Sequence, residues 1–168
     1  MKGNRVSDKQ TDLPIFGVGP LYVLSCLLLM IIGLVFHHQG HLRRGEMEGG
    51  KVIFGILGIF SILLGIWLWI HSVIIQSVSK EISQGKLVTT GVYGIVRNPI
   101  YSAFLFIFTG VLLFFSNYLL LLLPVIYWVF LTVLMKCTEE VWLKERFGDA
   151  YEEYCKRVNR VIPWFRKD

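Results

Sequence analysis

Charge is scarce in this chain, and four long stretches lack it almost entirely. Of 168 residues 17% are charged and 54% are hydrophobic, with a mean hydropathy of +0.58. An ordinary soluble domain carries about 25% charged residues. Only two long polar stretches exist and neither is long enough to fold alone, which excludes a sizeable soluble domain. Cysteine is also rare. Cys26, Cys137 and Cys155 lie in an apolar run or on the reducing side of a membrane, so no disulfide framework is expected; Cys155, beside a charged face, reads as a spectator thiol. The first apolar run lacks an Ala-x-Ala-like cleavage site and is too long for a signal-peptide core, so it is expected to be retained.

What is present is a polytopic, all-α membrane protein. Four spans are expected at 15–36, 52–75, 100–116 and 117–136, each near the roughly 20 apolar residues that a bilayer requires. The whole chain, 1–168, is expected to form one membrane domain, with a polar N-terminal segment at 1–14. Only Ser116-Asn117 separates the last two runs, so a tight helical hairpin is expected over about 100–136. The net charge of +5 is unevenly placed. With four spans, one side holds Lys2, Arg5, Lys9, Lys80, Lys86, Arg97 and the eight basic residues from Lys136 to Lys167; the other holds Arg43, Arg44 and Lys51. The excess of Lys and Arg on cytoplasmic segments places both termini in the cytoplasm. The bilayer is the expected partner and nucleic acid is not.

Two polar clusters flank the expected hairpin. The first is Gly91-Val-Tyr93-Gly-Ile-Val-Arg97-Asn98-Pro99-Ile-Tyr101. Thr89-Thr90-Gly91 has turn chemistry, and Asn98-Pro99 has the form of an N-cap followed by a first-turn proline. The second begins at Glu139-Glu140. Beyond it Leu143, Phe147, Tyr151, Tyr154 and Val158 recur at three- to four-residue steps, with Lys144, Glu145, Glu152, Glu153 and Lys156 on the other face. That pattern predicts a C-terminal amphipathic helix lying at the interface, broken at Gly148 with Asp149 capping the second piece, and a tail at 161–165 that returns to the interface. The hairpin should bring Tyr101 and Glu139 together. Adjacent residues of a helix face different ways, so one glutamate can face a cationic ligand while the other pairs with Arg97, Arg160 or a lysine. Tyrosine faces favour the same ligand charge. His37, His38 and His41 are loosely clustered without a supporting Cys or carboxylate pair, and no metal is expected.

The order and spacing of these clusters resemble the isoprenylcysteine carboxyl methyltransferase family of membrane enzymes over about 87–165. The first half resembles that family's Leu-Val-Thr-x-Gly-x-Tyr and Arg-His-Pro-x-Tyr elements. The second resembles its paired glutamates followed by Leu143, Phe147-Gly148, Tyr151, Tyr154, Arg160 and Pro163. The resemblance implies S-adenosylmethionine as methyl donor and a lipophilic or prenylated acceptor at the cytoplasmic face. It implies that Tyr93, Arg97, Asn98, Pro99, Tyr101, Glu139, Glu140 and Tyr154 line the cofactor site. Arg97, Arg160 and Glu140 are the candidate catalytic residues, with Arg97 or Arg160 orienting an anionic acceptor. Asn98 stands where the family carries histidine. Asparagine does not titrate near neutral pH, which fits O-methylation of an already ionised carboxylate. Three other readings stand beside this one: a phospholipid amine methyltransferase, whose usual Gly-x-Gly spacing Gly91 and Gly94 do not reproduce; a nicotinamide-dependent sterol or enone reductase; and a non-catalytic membrane binding protein.

Overall fold

The computed structural model describes residues 18–75 and 87–163. The polar N-terminal segment 1–14, the start of the first expected span and the tail beyond Pro163 lie outside the described residues. In chain order the helices are α1 Gly19–His38, α2 Lys51–Ile70 continued by a π-type turn His71–Ile75, α3 Pro99–Leu113, α4 Leu122–Cys137, α5 Glu139–Phe147 and α6 Asp149–Arg157. Short 3₁₀ turns at Arg43–Gly45 and Glu48–Gly50 join α1 to α2, and another at Gly91–Gly94 leads into α3. Among the described residues there is no sheet.

Three segments are long and apolar enough to cross a bilayer: Gly19–His38, Glu48–Val73 and Leu122–Phe147. The expectation of four full-length spans is corrected at α3. Its 15 residues rise ~22 Å, short of a hydrocarbon core of about 30 Å. The apolar run that reads as a two-residue hairpin is interrupted for longer than the sequence implies. Turns occupy 114–121, and Ser116 sits at φ 46°. α4 does not start until Leu122 because Pro124 belongs in a first helical turn, where its missing N–H is no loss; it is the third residue of α4.

The hairpin is corrected in a second respect, for α3 takes α2 rather than α4 as its close neighbour. A Cβ on Gly58 would meet the Gly110 carbonyl at 2.9 Å, one on Gly65 would meet that of Ala103 at 2.7 Å, and one on Gly110 would meet that of Gly58 at 2.6 Å. Small residues thus bring the two backbones together, the usual route to helix association in lipid. Ser61 adds a hydrogen bond to the Phe106 carbonyl at 2.7 Å.

α4 and α1 complete the bundle around a second core of Tyr22, Cys26, Leu105, Phe108, Leu112, Leu120, Tyr127, Leu131 and Met135. The outward faces stay apolar: Leu24, Val52 and Phe60 are each more than 60% exposed, as suits lipid. At one end Asn117, fully buried, donates to the Leu42 carbonyl at 2.8 Å and accepts from the Leu119 N–H at 2.9 Å. At the opposite end, α5 and α6 fold over the N-termini of α1 and α3. The break between them is at Gly148 as expected, with φ 52° and ψ −129°, a conformation that only glycine adopts without strain. Gly148 itself, not Asp149, occupies the cap position of α6.

Candidate functional site

The site is assembled by a short backbone bridge across sixty residues of sequence. Val96 pairs with Asn159 in parallel; the Arg97 N–H donates to the Asn159 carbonyl at 2.8 Å and the Asn98 N–H to that of Arg160 at 3.2 Å. The Asn98 side chain donates to the same Arg160 carbonyl at 3.0 Å. Asn98 occupies the cap position of α3, with Pro99 first in the helix, yet its side chain makes no capping bond; it tethers the C-terminal segment instead. Ser102 secures the same segment through the Val161 carbonyl. Held this way, the side chains of Arg97 and Arg160 meet the start of α5.

Glu140 takes both arginines. Arg160 binds it with both ends of the fork, Nε to Oε1 at 2.5 Å and Nη2 to Oε2 at 2.9 Å, and Arg97 approaches Oε1 at 3.1 Å. The three side chains are only 8%, 22% and 14% exposed for Arg97, Arg160 and Glu140. Two guanidinium groups against one carboxylate leave a formal charge of +1 in a half-dry site. The buried Nε of Arg97 has no partner among the described residues, although its Nη1 contacts the Cys155 thiol and lies 3.5 Å from the Tyr151 hydroxyl. The bond to Glu140 raises the Arg160 pKa.

Glu139 faces elsewhere. The Tyr101 hydroxyl donates to its Oε1 at 2.5 Å, and the Val18 N–H approaches the same oxygen at 3.3 Å. Gly19 makes room for this: a Cβ there would sit 3.2 Å from the Tyr101 ring. Tyr93 lies within electrostatic reach of Glu139, and burial raises its phenol above the ordinary range.

Of the residues singled out from the sequence, Arg97, Glu140 and Arg160 form one cluster, and Tyr101 and Glu139 a second beside it. Pro99 is buried at the start of α3. The Tyr154 hydroxyl is committed to the Tyr93 carbonyl at 2.6 Å, so Tyr154 and Asn98 hold the site's frame. The sequence reading missed Tyr151 and Cys155 as contacts of Arg97. Their i, i+4 spacing puts them on one face of α6, a signal that was available. Burial raises both Tyr151 and Cys155 above their ordinary pKa, with Arg97 partly opposing the shift.

Residues 53–150, more than half the chain, match the phospholipid methyltransferase family. The chain belongs to that family. Within it, the chain is 37% identical to a protein-S-isoprenylcysteine O-methyltransferase of Schizosaccharomyces pombe over 86 residues, 51% of this chain and 36% of the relative. It is 39% identical to protein-S-isoprenylcysteine O-methyltransferase B of Arabidopsis thaliana over 80 residues, 47% of this chain and 40% of the relative. It is also 32% identical to methanethiol S-methyltransferase 1 of Bradyrhizobium diazoefficiens over 97 residues, 58% of this chain and 33% of the relative. In each case the match spans well under two thirds of the relative's length. No solved structure matches the chain. For a phospholipid methyltransferase family member the donor is S-adenosylmethionine. Its sulfonium and ammonium are cationic, the sign that the Glu139 carboxylate complements.

Proposed function

We propose that this protein transfers a methyl group from S-adenosylmethionine to the carboxylate of a lipophilic acceptor at the cytoplasmic membrane face. The observation that carries the reading is the sign separation between neighbouring glutamates. Glu140 is neutralised and overbalanced by Arg97 and Arg160, while Glu139 is held by the Tyr101 hydroxyl, with Tyr93 within electrostatic reach and no arginine upon it among the described residues.

The donor, when bound, supplies an electrophilic methyl on sulfur. Glu139, oriented by the Tyr101 hydroxyl, attracts the donor's cationic groups, with tyrosine faces adding cation–π attraction. The surplus positive charge of Arg97 and Arg160 holds a carboxylate, for which the guanidinium fork is shaped. Such positioning alone can be worth ~7–11 kcal/mol in favourable cases. No residue needs to remove a proton from an ionised carboxylate, which agrees with Asn98 serving as a tether and not as a base. The similarity to a methanethiol S-methyltransferase supports a second reading, a thiol acceptor. That chemistry needs a proton acceptor, and Glu139 is the carboxylate not engaged by arginine.

The test is calorimetric titration of S-adenosylmethionine into protein in detergent, for wild type, Glu140→Ala and Tyr101→Phe, followed by methylation assays on N-acetyl-S-farnesylcysteine and on methanethiol. Saturable binding that weakens in both variants, with methyl ester formed on the farnesylated acid, is the expected result. Folded wild type that binds no donor would sink the proposal. Thioether formation from methanethiol without ester formation would move the assignment to the thiol.

A further inference from the structure

The core beside the site holds two hydroxyl groups that the protein does not satisfy. Tyr22 on α1 and Tyr127 on α4 are both fully buried, in one cluster with Cys26, Phe108 and Leu131. Among the described residues neither hydroxyl meets an oxygen or nitrogen partner; the Cys26 thiol, a weak hydrogen-bonding group, interacts with that of Tyr22. A phenol is normally found buried only where its O–H is paired, and in hydrocarbon no water is at hand to pair it. Phenylalanine would fill the same space without that cost. The two hydroxyls lie in a part of the bundle where a polar group is expensive, and beyond the weak Cys26 contact of Tyr22 no bond among the described residues explains them.

This core is continuous with the site. The Tyr22 ring meets that of Tyr101 edge-on at 6.1 Å, and Tyr101 in turn holds Glu139. Tyr22 is three residues into α1, and Tyr127 is ten residues before the end of α4. At 1.5 Å per residue these hydroxyl-bearing positions lie ~5 and ~15 Å inside the site end of the bundle. The walls between them also differ from the rest of the molecule. α2 and α3 are locked by glycine contacts, whereas α1 is seated on α3 and α4 through longer side chains, Leu27, Met30 and Leu34 among them. Methionine and leucine repack around a guest more readily than backbone in direct contact does.

We propose that Tyr22 and Tyr127 form a subsite, in the core between α1, α3 and α4, for an oxygen function carried part-way along the acceptor's apolar chain. The acceptor's carboxylate stays at Arg97 and Arg160, its chain runs into the core, and the two phenols select chains bearing a hydroxyl or carbonyl over plain hydrocarbon. This rests on the acceptor reading above and narrows it to an oxygenated long-chain or isoprenoid acid.

The experiment is competitive displacement of radiolabelled octadecanoic acid by unlabelled octadecanoic acid and by 12-hydroxyoctadecanoic acid. It is run on wild type, Tyr22→Phe and Tyr127→Phe in the same detergent micelles, so that micelle partitioning cancels between proteins. Wild type is expected to prefer the hydroxy acid by about three- to tenfold, the range of one net hydrogen bond, and the preference is expected to fall to about one in Tyr127→Phe. Because each variant removes an unpartnered hydroxyl from an isosteric ring, the melting temperature should hold or rise. Equal affinity of wild type for both acids, no binding of either, or a preference that survives in both variants overturns the proposal. So does a lower melting temperature in both variants with no change in discrimination, the mark of a bridging water. Donor titrations run in parallel keep the two proposals separable: absent donor binding removes the methyl-transfer reading, while the displacement ratio still reports on the subsite.

Discussion

At the scale of single residues, the two glutamates of one dipeptide carry different loads, and substitution should separate them. Among the described residues Glu140 is the only counter-charge on Arg97 and Arg160. Glu140→Ala leaves two poorly hydrated guanidinium groups facing each other, and breaking a buried pair in this way costs about 3–5 kcal/mol. A marked drop in melting temperature in detergent is expected, with donor binding weakened as well. Tyr101→Phe removes a hydrogen bond to a charged group, worth about 1.5–3 kcal/mol, without leaving a buried charge unpaired by arginine. It should leave the fold intact and weaken donor binding at least about tenfold, read by calorimetry. Equal effects of the two substitutions on stability would contradict the division of roles. The residue types of the site were legible in the sequence, since Arg97, Arg160, Glu139, Glu140 and Tyr101 all stand out as polar groups at the edge of apolar runs. Which glutamate meets which partner was not legible. Neighbouring helical positions point apart, but the direction of each is set by the pairing of 96–98 with 159–161, a contact that no local pattern encodes. Asn98 illustrates the same limit: its cap position was readable, whereas its side-chain bond to the Arg160 carbonyl depends on that distant segment.

Protonation at the site follows from the same burial. The Cys155 thiol and the Tyr151 and Tyr154 phenols are all raised above their ordinary values, chiefly by desolvation. Each is neutral when protonated, so folding favours the protonated form. The corresponding stability is present in full below the unfolded values, about 8.5 for cysteine and about 10 for tyrosine, and is lost as pH rises past them. The melting temperature is therefore expected to be flat near neutral pH and to fall above about 9. Cys155→Ser and Tyr151→Phe should shift the onset of that fall, whereas a midpoint already falling between about pH 6 and 8 would speak against buried, neutral groups.

At the scale of elements, the packing of α2 on α3 is the contact most exposed to mutation. Gly65 and Gly110 face backbone carbonyls inside 3 Å of any added Cβ, while nothing lies within 4 Å of one on Gly55. Gly65→Ala and Gly110→Ala force the helices apart and should destabilise by about 1–3 kcal/mol, the ordinary cost of overpacking. Gly55→Ala, on the same helix, should be neutral or slightly stabilising because alanine is the better helix former. Thermal unfolding in detergent distinguishes these outcomes, and a similar loss at all three positions would refute the close approach. The sequence shows the glycines of α2 but not their partner. Chain order points to α4 as the neighbour of α3, and only the match of Gly58 and Gly65 with Gly110 and Ala103 assigns it to α2.

At the scale of the whole molecule, the short α3 decides the topology. Three segments have the length and composition of full spans, and an odd number of crossings would put the ends of the chain on opposite sides. Yet the two ends of α3 touch opposite ends of the bundle. Tyr101 meets Glu139 and the start of α1, whereas just beyond α3 the Tyr118 N–H donates to the Gly45 carbonyl at 2.9 Å and the Met47 N–H to that of Ser116 at 2.9 Å. The turns at 114–121 extend the segment beyond the helix, and the buried side chain of Asn117 satisfies backbone groups of the Leu42 and Leu119 region there. Among the described residues, Arg43, Arg44 and Lys51 lie on the Gly45 side and Arg97, Lys136, Lys144, Arg146, Lys156, Arg157 and Arg160 on the other, a charge bias that supports the cytoplasmic placement proposed for the site. In intact cells a membrane-impermeant maleimide should label Arg44→Cys and Tyr118→Cys but label Glu145→Cys only after permeabilisation. Tyr118 is half exposed, so a cysteine there is open to reagent wherever that end of the bundle faces. Labelling of Arg44→Cys without Tyr118→Cys would mean that α3 does not cross. It would also mean that the pairing of the 42–47 and 114–118 loops is not formed in the membrane, and the depth assigned to Tyr127 below the site would fall with it.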